Sequence, residues 1–189
     1  MATNIEIKAR VRDVERFRAL VEEISDTPEA VMQQEDVFLR SPRGRLKLRI
    51  LSPSSGQLIY YERADAAGPR PSNYLLFETS RPDSLLEVLA GALGIRGRVR
   101  KTRSLYMTGT TRIHLDEVEG LGTFSELEVV LGPHQSAEEG ASVANRLMKR
   151  LGIEAGDLVT TAYIDLLEAK PADGAPTDSR YKATDTETV

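Results

Sequence analysis

The segment Asn4-Ile5-Glu6-Ile7-Lys8-Ala9-Arg10-Val11-Arg12 alternates without a break between polar or charged residues and apolar ones. Successive side chains of a β-strand point to opposite faces. An extended backbone therefore puts Asn4, Glu6, Lys8, Arg10 and Arg12 on one side and Ile5, Ile7, Ala9 and Val11 on the other. The same division recurs along the chain. Arg45, Lys47 and Arg49 oppose Leu46, Leu48 and Ile50, while Arg112, His114 and Asp116 oppose Ile113 and Leu115. Glu126 and Glu128 share a face with Phe124 and oppose Leu127, Val129 and Leu131, and Gln34, Asp36 and Arg40 align with Phe38.

Working outward, strands are predicted over 3–12, 32–40, 45–52, 57–64, 73–80, 98–108, 111–118 and 123–132. Turn clusters at Ser41-Pro42-Arg43-Gly44, Ser52 to Gly56 and Gly68 to Pro71 separate several of them. Helices are predicted over Asp13–Ile24, Asp83–Leu93 and Ser136–Leu151, with Asp13, Asp83 and Ser136 as N-caps and Gly94 and Gly152 as stops, and a short one over Leu158–Leu167. Strands joined by tight turns are antiparallel, so the expectation is an α+β domain with helices outside a large antiparallel sheet. The domain is expected to cover residues 1–168. From about Ala169 the chain loses its apolar periodicity, and 169–189 is expected to be a disordered tail. Its terminal Glu-Thr-Val matches a sheet-edge peptide ligand only weakly.

The 189 residues include 40% hydrophobic and 29% charged residues, a globular composition. No cysteine is present, which excludes disulfides, thiolate metal sites and thiol catalysis. Two histidines, His114 and His134, are too few for a metal site built mainly on imidazole, so a cation here would be a hard one held by carboxylates. A net charge of −4 argues against a general nucleic-acid binder. The N-terminal stretch has no signal-like apolar run, and Leu85 to Ile95 is too short to span a membrane. A cytoplasmic protein is expected.

Two readings fit the alternation. An antiparallel sheet can simply wet its polar face. Alternatively, about eight strands can curl until charged faces remote in sequence look at one another. Long side chains of both signs favour the second. Their interior would be a charged, water-accessible tunnel, which is costly unless a charged ligand completes it. Converging Lys and Arg suit a many-oxygened anion, and Glu6, Glu126 and Glu128 suit a divalent cation bridging protein and phosphate oxygens. A polyphosphate with Mg²⁺ or Mn²⁺ satisfies both.

These residues resemble the CYTH, or triphosphate tunnel metalloenzyme, superfamily. Asn4-Ile5-Glu6-Ile7-Lys8 is similar to its Glu-x-Glu-x-Lys signature with Asn in place of the first Glu. Gln34-Glu35-Asp36-Val37-Phe38, Lys47-Leu48-Arg49, Tyr61-Glu62-Arg63, Lys101-Thr102-Arg103, Arg112-Ile113-His114-Leu115-Asp116 and Glu126-Leu127-Glu128 follow in family order. The resemblance covers about 3–168 and implies an eight-stranded antiparallel β-tunnel with helices packed outside. It further implies phosphate binding by Lys8, Lys47, Arg49, Arg63, Lys101, Arg103 and Arg112. Glu6, Glu126 and Glu128 would ligate Mg²⁺ or Mn²⁺, with Asp116 a nearby metal or nucleotide contact and Lys8 a general-base candidate. The members include class IV adenylyl cyclases, thiamine triphosphatases, tripolyphosphatases and RNA triphosphatases. The segment from Arg112 through Glu128, with Asp116-Glu117-Val118-Glu119-Gly120-Leu121-Gly122, looks closest to the class IV cyclase branch. The implied partner is a small-molecule triphosphate, with no nucleic acid or membrane, and a homodimer is compatible. Asn4 lacks the charge of a carboxylate, which leaves a non-catalytic polyphosphate or nucleotide binder as the alternative.

Overall fold

A computed structural model describes residues 2–170, so most of the expected tail lies outside the described residues. The strands are β1 Ala2–Arg10, β2 Ala30–Leu39, β3 Arg45–Ser52, β4 Ser55–Arg63, β5 Arg70–Thr79, β6 Ile95–Thr108, β7 Thr111–Val118 and β8 Gly122–Val130. They pair antiparallel in the order β1-β5-β4-β3-β2-β6-β7-β8 and close into a barrel. Closure depends on β1, which bonds β5 on one edge and β8 on the other and sets Glu6 opposite both Arg70 and Glu128. The predicted eight-stranded architecture is therefore the observed one.

The period-two pattern sorts the two faces. Outward-facing Ile7, Ala9, Ile113, Leu115 and Leu127 form the main apolar core with Phe17, Val21, Leu147 and Leu151 of the helices α1 (Val14–Ile24) and α3 (Ala137–Arg150). Each such side chain taken from water contributes on the order of 1.5–3 kcal/mol before the entropy of ordering is subtracted. Asp13 caps α1 by accepting from the Arg16 amide at 3.0 Å, and Ser136 and Glu139 form a reciprocal capping box on α3. The helix α2 spans Pro82–Leu93. Its cap is Arg81 rather than the expected Asp83, because Pro82, with its φ preset for a helix, occupies the first turn.

Several boundaries shift by one to three residues, β6 starting at Ile95 rather than Arg98, and two differences shape the site. β5 starts at Arg70, inside the predicted turn cluster, and Pro71 lies within it opposite Ile5. The last helix, α4, spans Tyr163–Glu168, and Leu158 to Ala162 is instead an extended strap across one end of the barrel. Leu158 bridges Ala9, and the Val159 amide donates to the Lys8 carbonyl at 2.8 Å. Tyr163 and Ile164 then pack among the inward-facing Phe38, Val99, Val118 and Phe124 and stopper that end. A Cβ on Gly97 would lie 2.5 Å from Ile164 Cδ1, so the stopper seats against bare backbone.

Helix α3 lies equally close to the wall: a Cβ on Gly140 would meet Ile5 Cγ1 and Leu131 Cδ2, each at 2.6 Å. On an exposed helix, Gly→Ala gains up to about 1 kcal/mol. Here Gly140→Ala should instead lose about 1–3 kcal/mol by overpacking. Thermal unfolding should show the midpoint falling by several degrees; a rise would disprove this packing.

Candidate active site

The barrel interior holds a cavity with about 810 Å³ of space not filled by atoms, part of it open to solvent. Every residue expected to bind phosphate lines it: Lys8 from β1, Lys47 and Arg49 from β3, Arg63 from β4, Lys101 and Arg103 from β6 and Arg112 from β7. Glu6, Glu126 and Glu128 line it as well. The charged faces of remote strands thus look at one another, as the curled-sheet reading requires.

The cations are held by internal carboxylates. Asp36, 2% exposed, accepts from Lys47 Nζ at 2.7 Å and from Arg49 Nε at 2.9 Å. Asp116, fully buried, accepts from Lys101 Nζ at 2.9 Å, from Arg103 Nε and Nη2 at 2.6 Å each, and from the Tyr163 hydroxyl at 3.0 Å. Glu126 pairs with Lys8 at 3.2 Å and also with Arg103, while Glu6 pairs with Arg63. The strap adds backbone acceptors: Thr161 for Lys8 at 3.3 Å, Thr160 for Arg63 at 3.5 Å and Val159 for Arg70 at 3.4 Å. Buried ions need such pairing, although Nε of Arg63 and Nε of Arg70 are left without a partner.

Proton affinities follow from these contacts. Burial pushes the Asp36 carboxyl up, but Arg49 and Lys47 override it and hold it well below the usual carboxylate range. For Glu126 the upward push of burial is likewise overcome by Lys8 and Arg103. Glu128 moves the other way, raised by burial and by the neighbouring carboxylates Glu126 and Glu6 against the pull of Arg103. Burial lowers Lys8 and brings Lys47 down to about 8. Burial, with Arg103 beside it, also keeps His114 neutral, far below its ordinary value.

Asp116 is not in the cavity wall; it sits behind Lys101 and Arg103 with its oxygens engaged. Among the described residues, the group of carboxylate and imidazole donors close enough to share an ion is His114, Glu126 and Glu128, within 4.8 Å of one another. Glu6 and Asp116 are outside that group. Asn4 lines the cavity, 5% exposed, with its Oδ1 unpartnered. Tyr61 and Phe38 line it too, whereas His134 is exposed in the turn before α3.

Two participants escaped the site residues chosen from sequence. Asp36 carried a signal, sharing a strand face with Phe38 in the Gln-x-Asp-x-aromatic pattern. Tyr163 carried none, because only the strap delivers it; its ring lies 3.7 Å from Lys8 Nζ and 5.1 Å from Lys101 Nζ. One wall differs from the rest: Ile59 and Tyr61 of β4 with Tyr74 and Leu76 of β5 make an apolar side to an otherwise charged cavity.

The family model for the CYTH domain matches residues 2–163. The adenylate cyclase CyaB of Aeromonas hydrophila is 25% identical over 174 residues, covering 87% of this chain and 88% of its own. The PH1012 protein of Pyrococcus horikoshii superposes with a TM-score of 0.77 at 26% identity, over 86% of this chain and 98% of its own. A conserved hypothetical protein of Pyrococcus furiosus shares the fold with a TM-score of 0.77 at 24% identity, over 86% and 99% of the two chains.

Removing one partner from a buried ion cluster leaves the others uncompensated. Asp116→Asn should therefore lose about 3–5 kcal/mol in urea unfolding at pH 7. Asp36, Asp116 and Glu126 bind protons less readily folded than unfolded. Their contribution is then complete above about pH 5 and fades as the solution is acidified, so the variant's stability should fall less steeply than the wild type's below that pH. Equal stability at pH 7 would contradict the ion-pair assignment.

Proposed function

The chain belongs to the CYTH domain family, and we propose that it is a metal-dependent phosphoryl-transfer enzyme that takes an organic triphosphate, most simply a nucleoside triphosphate, into the barrel. The single observation that carries this reading is the convergence of seven Lys and Arg side chains from five strands on one cavity, beside a carboxylate cluster. Lys47, Arg49, Arg63, Lys101, Arg103 and Arg112 bind phosphate oxygens, the arginines through their two-point forks. The cations are already held by Asp36 and Asp116, so little reorganisation is needed when charge shifts in the transition state. Asp116 acts as the anchor of Lys101 and Arg103 rather than as a metal contact.

Glu126 and Glu128, with Glu6 facing them, hold a divalent cation, Mg²⁺ or Mn²⁺. The residues present fit such an ion: donor atoms of Glu126 and Glu128 lie within 4.8 Å of one another, and burial together with the neighbouring carboxylates Glu126 and Glu6 raises Glu128. When bound, the cation neutralises phosphate charge and favours the leaving group. Ile59, Tyr74 and Leu76 give the organic portion an apolar seat, which inorganic tripolyphosphate would leave unused.

By likeness to the Aeromonas cyclase, the reaction is attack of the ribose 3′-hydroxyl on the α-phosphorus with release of pyrophosphate. Hydrolysis uses the same parts with water as nucleophile. Lys8, whose pKa is lowered by burial, would take the nucleophile's proton at Nζ from its neutral amine form. Asn4 favours a second reading, a triphosphate binder without turnover.

Purified protein incubated with ATP, thiamine triphosphate or tripolyphosphate, plus Mg²⁺ or Mn²⁺, separates these. Cyclic AMP with pyrophosphate marks the cyclase, orthophosphate the hydrolase, and binding without product the second reading. Glu126→Gln should cut turnover by about 10²-fold or more while triphosphate affinity changes far less. Parallel loss of both counts against catalysis at this site. Absence of any triphosphate-induced rise in melting temperature would remove the binding reading as well.

A further inference from the structure

His114 projects from β7 into the barrel, 4% exposed, and its Nδ1 has no hydrogen-bond partner. Strand pairing places it opposite Glu126, one inward position from Glu128. Two carboxylate oxygens face the nitrogen, Glu126 Oε2 at 4.0 Å and Glu128 Oε1 at 3.8 Å. Those distances are too long for a hydrogen bond and leave room for an ion between the three atoms. Arg112 engages the other oxygen of Glu128, at 3.3 Å. Arg103, which also holds Glu126, keeps both oxygens of Asp116, so a cation can take Glu126 Oε2 without leaving that guanidinium unpaired.

We propose that His114 Nδ1 is a direct ligand of the divalent cation, completing a site of one nitrogen and two oxygens with Glu126 and Glu128, and that it makes the site prefer a first-row transition ion such as Mn²⁺ to Mg²⁺. The inference rests on the metal-dependent reading above and extends it to ligand identity and ion choice. Mg²⁺ takes oxygen ligands in strict octahedral geometry, whereas imidazole nitrogen suits first-row transition ions, of which Mn²⁺ is the weakest binder and the nearest to Mg²⁺ in its liking for oxygen.

The chain has two histidines, so a histidine nitrogen on the metal has two possible sources, and exposed His134 serves as the control. Tag-free full-length protein is loaded with Mn²⁺, alone and with tripolyphosphate, and studied by pulsed electron paramagnetic resonance with natural-abundance and ¹⁵N-histidine protein. The expected result is ¹⁴N modulation in wild type and His134→Gln, converted to the ¹⁵N pattern on labelling and lost in His114→Gln. Mn²⁺ affinity of His114→Gln should fall at least about tenfold, with a clearly smaller change for Mg²⁺. Bound Mn²⁺ without histidine coupling overturns the ligand while leaving the metal-dependent reading intact. Coupling without a change in the Mn²⁺/Mg²⁺ ratio in the variant overturns the ion preference. No Mn²⁺ binding with or without tripolyphosphate overturns the metal-dependent reading too. If His114→Gln does not fold, labelled wild type and His134→Gln decide the ligand, and wild-type Mn²⁺ and Mg²⁺ affinities the preference.

Discussion

Every element of this structure answers to the cost of enclosing charge. Closing the barrel takes Lys8, Lys101, Arg103 and Asp116 almost wholly out of water. An ion so enclosed is tolerated only with a partner at hydrogen-bond distance. The partners come from other strands: Asp36 on β2 holds Lys47 and Arg49 on β3, and Asp116 on β7 holds Lys101 and Arg103 on β6. Barrel closure and ion pairing therefore presuppose each other. A sheet that stayed open would wet these groups and remove the need for the pairs, and a closed sheet without them would expel its own lining.

The same constraint explains the strap. Burial leaves Lys8, Arg63 and Arg70 with donors that the carboxylates do not exhaust. The carbonyls of Val159, Thr160 and Thr161 accept from them across the barrel end. Tyr163 then serves two needs at once. Its hydroxyl donates to Asp116, and its ring packs edge-on to Phe124 at 5.0 Å while presenting its π-system to Lys8. The stopper is an apolar seal whose inner surface has been fitted with acceptors, so one end of the cavity is closed with each cation still paired, although Nε of Arg63 and Nε of Arg70 stay without a partner.

What could be read in advance follows the range of the interaction. Strict alternation in β1, β3, β7 and β8 is a local signal and places Glu6, Lys8, Lys47, Arg49, Arg112, Glu126 and Glu128 on their correct faces. β5 is harder. Pro71 falls within it, and Tyr74-Leu75-Leu76-Phe77 shows no alternation because Leu75 and Phe77 remain exposed on its outer side. The strap reads as helix in the sequence because Leu158 to Leu167 carries apolar residues at a permissive spacing. Its extended conformation is decided by hydrogen bonds to β1, which no local pattern encodes. Asp116 illustrates the limit at the site itself: the inward face is legible, but whether a carboxylate meets the ligand or props up the cations behind it depends on side-chain reach in three dimensions.

The lining charges also bear on Asn4. Among the described residues the cavity wall carries three more Lys and Arg side chains than carboxylates. A triphosphate brings roughly four negative charges near neutral pH, since the second ionisation of a phosphate lies near 6. One divalent cation with that ligand leaves the assembly close to neutral, whereas two would restore a substantial positive excess inside a low-dielectric barrel. A glutamate at position 4 would lower the wall's own charge and make a second cation easier to hold. Under the proposed metal-dependent reading, Asn4 thus shifts the balance toward a single ion at Glu126 and Glu128, adjacent inward positions of β8, away from the row that Asn4 shares with Val130.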